Sequence, residues 1–240
     1  MRIISLVPSV TFSLLDLGLP VGQLVGRTKF CISPKNLLSS CPVVGGTKSL
    51  KLEVIARLKP DLILANKEEN TKEEIEALAK NFNVWTSEVS SLEDNSKFLL
   101  ELGHRIGRST NAQSYAKEIE SIFDRPWEQK QMATYLIWQN PLMAAGGDTF
   151  ISDVLNSLNI PNALGTKKRY PTLENNDLDE IPNILLSSEP YPFSENHRIQ
   201  MQNRYQKSKL VLCDGQAFSW HGTFPRHCRE YYRRFTQQLL

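Results

Sequence analysis

The chain has 240 residues, 28 of them basic and 26 acidic, for a net charge of +2. That length supports one large or two small domains with a real core, and the near-neutral balance excludes the strongly basic face of a nucleic-acid-binding domain. No long apolar run offers a membrane span. The four cysteines (Cys31, Cys41, Cys213, Cys228) lack C-x-x-C spacing, so free thiols are expected, with a Cys31–Cys41 loop closure as the alternative in an oxidising compartment.

Met1-Arg2 runs straight into an apolar strand over residues 3–7, with a turn at Pro8. No export signal precedes that strand, which predicts a cytosolic protein if Met1 is the natural start and predicts nothing if the N-terminus was trimmed. Ser9 or Thr11 opens a short helix carrying Phe12, Leu14, Leu15 and Leu17, and Gly18 stops it. A second short strand ends at Gly26-Arg27, and residues 28–42 read as loop. Gly45-Gly46 is expected to turn, and residues 50–58 to form a helix covering Leu52, Ile55, Ala56 and Leu58. Past Pro60-Asp61, the apolar run 62–65 predicts a parallel strand covered on both faces. Thr71 with Glu74 reads as a capping box, residues 83–86 as a strand, and Ser91 with Asp94 as the start of a helix holding Phe98, Leu99, Leu102 and Ile106.

Residues 107–123, GRSTNAQSYAKEIESIF, offer Ser109, Thr110 and Asn111 as helix openers. Ala112, Tyr115, Ala116, Ile119, Ile122 and Phe123 then recur at spacings of three and four. Roughly fourteen helical residues span about 20 Å, enough for a strut. After Pro126 the pattern restarts: a strand at 132–138, a turn at Gly146-Gly147-Asp148, a helix at 149–158, strands at 183–187 and 210–213 with a helix at 194–205 between them, and a closing helix at 225–239. Two features echo across the strut. Thr11-Phe12 opens a helix ending in Leu17-Gly18-Leu19-Pro20 and Thr149-Phe150 one ending in Leu158-Asn159-Ile160-Pro161, and Leu58-Lys59-Pro60-Asp61-Leu62 has a counterpart in Glu180-Ile181-Pro182-Asn183-Ile184. The chain is therefore expected to be α/β, with two Rossmann-like lobes (1–107 and 126–240), a single backbone helix within 108–125, and a functional cleft between the lobes.

The glycine pairs lack the Lys-Ser/Thr of a P-loop and the G-x-G-x-x-G of a dinucleotide site, so they read as turns or close approaches. The histidines match no zinc spacing. His221, between Trp220 and Gly222, is open to two readings, ligand contact or a surface loop histidine. No G-x-S-x-G elbow or nucleophile, base and acid set is recognisable, so neither a catalytic nor a metal site is assigned. The aromatic residues are more informative. Trp138, Tyr191 with Phe193, and Phe218 with Trp220 all follow strand ends, where loops line the crevice of α/β layers; Ser9, Thr28, Phe30 and Lys67 hold matching places in the first lobe. Arg27, Lys29 and Lys67 either offset negative charge on a ligand or are simply solvated.

With those loops in view, the chain resembles the helical-backbone (class III) substrate-binding proteins of ABC transporters, especially the vitamin B12-binding branch. The likeness is carried by ISLVPSVTFSLLDLGL, VVGGTKSLKLEVIARLKPDLILA, YLIWQNPLMAAGGDTFI, RYPTLENNDL, LLSSEPYPF and DGQAFSWHG. The resemblance implies a periplasmic, monomeric binding protein without catalysis or an intrinsic cofactor, holding cobalamin, haem or another metal chelate between lobes whose hinge motion is small. It implies ligand contacts at Phe30, Trp138, Tyr191, Phe193, Trp220 and His221. It also implies docking on ABC transporter membrane subunits through Glu53 and, where the family's second glutamate would fall, Asp177. The alternatives are a cytosolic chelate-binding or sensing protein on the same scaffold, and an enzyme, which would need a catalytic cluster around His221.

Overall fold

A computed structural model of the chain describes residues 1–174 and 176–240. It resolves into two compact units, one comprising Met1–Val89, Asp94–Ala116 and His221–Phe224, the other Ser90–Glu93, Lys117–Trp220 and Pro225–Leu240.

The first unit holds β1 (Ile3–Ser5), α1 (Pro8–Asp16), β2 (Leu24–Arg27), α2 (Lys35–Leu38), β3 (Gly45–Gly46), β4 (Ser49–Leu50), α3 (Leu52–Leu58), β5 (Leu62–Asn66), α4 (Lys72–Ala79), β6 (Val84–Ser87), most of α5 (Leu92–Arg105) and the first half of α6 (Ser109–Phe123). Its main sheet has the order β2-β1-β5-β6, all parallel. Every residue of β1 and β5 is buried, which accounts for the apolar runs without polar alternation. Ile4, Leu6, Val25, Ile55 and Ile63 meet in one core cluster.

Local chemistry shifts several boundaries. Pro8 begins α1 rather than turning the chain before it, because a first-turn residue has no helical partner for its N–H anyway. Thr11 is consequently inside the helix, where its hydroxyl lies within hydrogen-bond reach of Val7 O (2.9 Å) and Ser5 Oγ (2.8 Å). Gly45-Gly46 is an extended segment paired antiparallel with Ser49-Leu50, not a turn. A Cβ on Gly45 (φ +121) would lie 2.3 Å from Ser49 O, so glycine is required there for close approach. In α3 the covered residue is Ile55, helped by Val54 and Leu58, while Leu52 is 40% exposed. Thr71 precedes α4 but closes no capping box: its hydroxyl donates to Glu74 Oε2 at 2.7 Å, and Glu74 Oε1 accepts from Leu50 N at 2.7 Å. That carboxylate therefore ties α4 to β4.

The second unit holds the end of α6, then β7 (Ala133–Trp138), β8 (Met143–Ala144), α7 (Phe150–Ser157), β9 (Asn183–Ser187), α8 (Glu195–Arg204), β10 (Lys209–Cys213), α9 (Gly215–Ser219) and α10 (Arg229–Thr236), the last preceded by a 3-10 turn at Phe224–Cys228. The sheet order is β10-β9-β7-β8, with β8 antiparallel to β7 and the other pairings parallel. Leu136, Ile184, Leu186, Phe193 and Leu210 share its core. Thr149 caps α7, accepting from Ser152 N at 3.2 Å and donating to Gly146 O at 2.7 Å. The sequence echo survives in two respects: α1 and α7 end alike, with Gly18 and Asn159 at positive φ and Leu19 N and Ile160 N donating to Leu14 O and Leu155 O, and β5 and β9, the strands after Pro60 and Pro182, are both interior strands of their sheets. Among the described residues, no helix matches α3 before β9, where residues 176–180 form turns. The expected closing helix is broken at Cys228, and the short elements α2 (within the expected loop 28–42), β8 and α9 are not marked by the sequence pattern. Among the described residues, no helix is long and apolar enough to cross a membrane.

Helices α5 and α6 are joined at Gly107 (φ +68) and touch at Gly103, where an added Cβ would fall 2.3 Å from the Ala112 Cβ. Gly103→Ala is expected to lower unfolding stability by about 1–3 kcal/mol through overpacking, measured by chemical denaturation. Retained stability would show that the helices can separate at no cost.

Candidate functional site

In each unit, parallel strands packed on both sides leave their carboxyl ends as the place where loops can carry chemistry. In the first unit, β2 runs into Thr28, Lys29 and Phe30. The Phe30 ring is 50% exposed, with Lys29 Nζ 5.0 Å from its centroid. A Cβ on Gly46 would come within 3.4 Å of Phe30, so Gly46 lies against that ring. Lys67, after β5, forms an ion pair with Glu88, after β6. Asn66 at the end of β5 is buried, donating to Ser87 Oγ at 3.2 Å, while its backbone N–H meets Asn70 Oδ1 at 2.9 Å. Thr28 is also buried, 3.1 Å from Cys31 Sγ. Cys31 Sγ rests against Ser5 O and Cys41 Sγ against Leu24 O, the far end of the β1–β2 pair. Both thiols are free, and burial raises the pKa of each.

His221 is neither on the surface nor in an open loop. The segment His221–Phe224 belongs to the first unit although it lies beyond the last strand of the second in sequence. Its imidazole is 6% exposed, edge-on to Phe98 at 5.1 Å, with Nδ1 3.5 Å from Ser9 Oγ. Asn95 holds the next residue at both backbone groups, accepting from Gly222 N at 2.5 Å and donating to Gly222 O at 3.1 Å, while Thr223 N donates to Ser13 Oγ at 3.0 Å. Gly222 (φ +87) has no room for a side chain, since a Cβ would sit 2.1 Å from Ser13 Oγ.

In the second unit, Trp138 ends β7 with its ring 40% exposed and Nε1 donating to Asn140 O at 3.0 Å. Tyr191 meets it in a T-shaped contact at 5.6 Å and meets Phe193 at 4.8 Å. The Tyr191 hydroxyl donates to Gln139 Oε1 at 2.5 Å and lies 3.1 Å from His197 Nε2. Because His197 Nδ1 accepts from Ser194 N at 2.9 Å, the neutral ring carries its proton on Nε2 and donates it to Tyr191. A chain of hydrogen bonds thus runs from the capping box of α8 through Tyr191 to Gln139. Phe193 is 5% exposed and packs in the core. Trp220 is buried too, and its side chain hydrogen-bonds the Glu189 carboxylate, which also accepts from Ser219 Oγ at 2.9 Å and from the Gln216 side chain. Burial raises the Glu189 pKa, and these three donors work against that rise. Asp214 caps α9 through Gln216 N at 3.0 Å.

Of the six aromatic and histidine candidates, the structure presents Phe30 and Trp138 to solvent with Tyr191 half-buried behind Trp138, and buries Phe193, Trp220 and His221. The sequence pattern did not point to Gln139, Glu189 or His197. The Ser194–His197 spacing at the head of a helix was the available signal for the last of these. Glu53 is exposed in the first turn of α3, and Asp177 is exposed with Oδ2 accepting from Glu174 N at 2.8 Å. Among the described residues, no group of three His, Cys, Asp or Glu side chains could hold a metal ion.

Burial lowers the His221 pKa from 6.5 to about 4. Between those values the unfolded chain binds a proton that the folded chain does not, so stability falls as pH drops through that window. Chemical denaturation at pH 7 and 4.5 should show the wild type losing about 2 kcal/mol more than His221→Gln. Equal losses would place the ring in water.

A family model described as "Periplasmic binding protein" matches residues 3–183. No curated protein matches in sequence. Among solved structures, the periplasmic vitamin B12 binding protein BtuF of Vibrio cholerae superposes with a TM-score of 0.80 at 18% identity, covering 98% of this chain and 97% of that one. The periplasmic heme binding protein HutB of Vibrio cholerae gives 0.80 at 18%, covering 99% and 98%. A possible iron-binding (periplasmic solute-binding) protein from Staphylococcus epidermidis gives 0.79 at 20%, covering 99% and 97%. These likenesses establish the fold, and the match over residues 3–183 places the chain in the periplasmic binding protein family.

Proposed function

We propose that this chain captures a flat metal chelate, of the corrinoid or porphyrin kind, and hands it to an ABC-type uptake system, without chemistry of its own. The observation that carries this reading is the pair at the end of β7: an exposed indole with a tyrosine ring set against it and fixed at its hydroxyl. An aromatic face held still by its own hydrogen bonds can stack on a planar ligand with little loss of side-chain freedom. Phe30, steadied by Lys29, offers a second exposed ring at the end of β2. Phe193 supports Tyr191 from the core, whereas Trp220 anchors α9 through Glu189 and His221 packs the first unit, so none of the three is assigned a direct ligand contact. The solved relatives include a vitamin B12 binding protein and heme binding proteins, which is the ligand range proposed for this one.

Isothermal calorimetry with cobalamin, haemin and ferric chelates tests the proposal, with saturable binding of one class expected. Trp138→Ala should weaken that binding roughly tenfold or more while leaving thermal unfolding unchanged. No binding of any of the three would refute the ligand class, and an unaffected Trp138→Ala would remove the indole from the site. The delivery step is assigned to Glu53 and Asp177 as exposed carboxylates meeting arginines of the membrane subunits. Glu53→Arg should leave calorimetric affinity intact and abolish ligand-stimulated ATPase activity of the reconstituted transporter.

A further inference from the structure

We propose that the stretch from Arg27 to Lys51, the loop between β2 and β3 with the β3–β4 hairpin bonded to it, is a docking surface for an anionic phospholipid bilayer. Between Asp16 and Glu53 the chain has no acidic residue, yet Arg27, Lys29, Lys35, Lys48 and Lys51 all fall there. The four lysines are exposed, and among the described residues none of them pairs with a carboxylate. Lys67, Lys72, Lys130 and Lys207, by contrast, are ion-paired. The same stretch pushes large apolar side chains into water: Ile32 is 61% exposed, Val43 42% and Leu37 37%.

These tips are held out by a built loop. Its ends are closed by Arg27 N donating to Pro42 O at 2.9 Å and Val44 N donating to Arg27 O at 2.8 Å. Its inside is packed with Cys31, Leu38 and Cys41, each at most 7% exposed, and the Arg27 guanidinium donates to Leu38 O at 3.3 Å and Thr28 O at 3.2 Å. A packed loop that keeps apolar side chains outward among unneutralised cations of one sign matches a surface with phosphates above and hydrocarbon beneath. A protein partner fits less well, because the centres of protein interfaces are depleted in lysine.

Co-sedimentation with vesicles of phosphatidylcholine and phosphatidylglycerol (3:1), against vesicles of phosphatidylcholine alone, tests this. Recovery with the anionic vesicles only is expected, falling with added salt. Lys35→Gln and Lys48→Gln should each weaken it about fivefold, and Ile32→Ser with Leu37→Ser should weaken it with no change of charge. Lys117→Gln, an exposed lysine on α6, should have no effect. Equal recovery with both vesicle types overturns the proposal. So does a loss from Lys117→Gln equal to that from Lys35→Gln, which would report net charge alone. Light scattering showing a dimer that Ile32→Ser dissolves would give the surface to a second copy of the chain and overturn it as well.

Discussion

A parallel strand covered on both faces has only its ends with which to meet a ligand, and that constraint governs both units of this chain. The central strands β1, β5 and β9 are buried along their whole length, so their side chains are committed to the core. Polar and aromatic residues therefore collect at the strand ends and just beyond them: Asn66 and Lys67 at β5, Trp138 at β7, Ser188 and Glu189 at β9. The candidate binding residues are where they are because the sheet leaves no other place for them.

Buried polar groups then decide how firmly those loops are held. Each backbone donor or acceptor taken out of water needs a partner, and the chain supplies partners from short polar side chains. Asn95 satisfies both backbone groups of Gly222, and Ser13 takes the next N–H. Glu189 collects Ser219, Gln216 and Trp220 onto one carboxylate. His197 and Gln139 fix the Tyr191 hydroxyl from two sides. Of the two exposed rings, Trp138 lies against Tyr191, whose hydroxyl is braced in this way, while Phe30 is met by Lys29 of its own loop.

The loop between β2 and β3 obeys another rule. It is packed within and apolar without, and it carries positive charge that no neighbouring carboxylate neutralises. The rest of the surface tends toward local ion pairs such as Arg198 with Glu195 and Arg233 with Glu230. Such exposed pairs contribute little to stability; among the described residues Lys29, Lys35, Lys48 and Lys51 have no such carboxylate partner.

The sequence by itself determined the α/β class, the strands at 62–65 and 183–187 and a helix within 108–125, because hydrophobic period and helix-breaking residues act locally, and its motifs carried the likeness to solute-binding proteins. It also located the aromatic loops, since strand ends are legible wherever an apolar run stops. Which rings face water was not legible. Phe193 and Trp138 sit in equally polar, proline-flanked surroundings along the chain, yet one lies in the core and the other is exposed. His221 likewise looks like a loop histidine until Asn95 and Ser13, more than a hundred residues away, close over the segment that carries it. Burial depends on contacts made across long stretches of chain, and those contacts exist only once the sheets have formed.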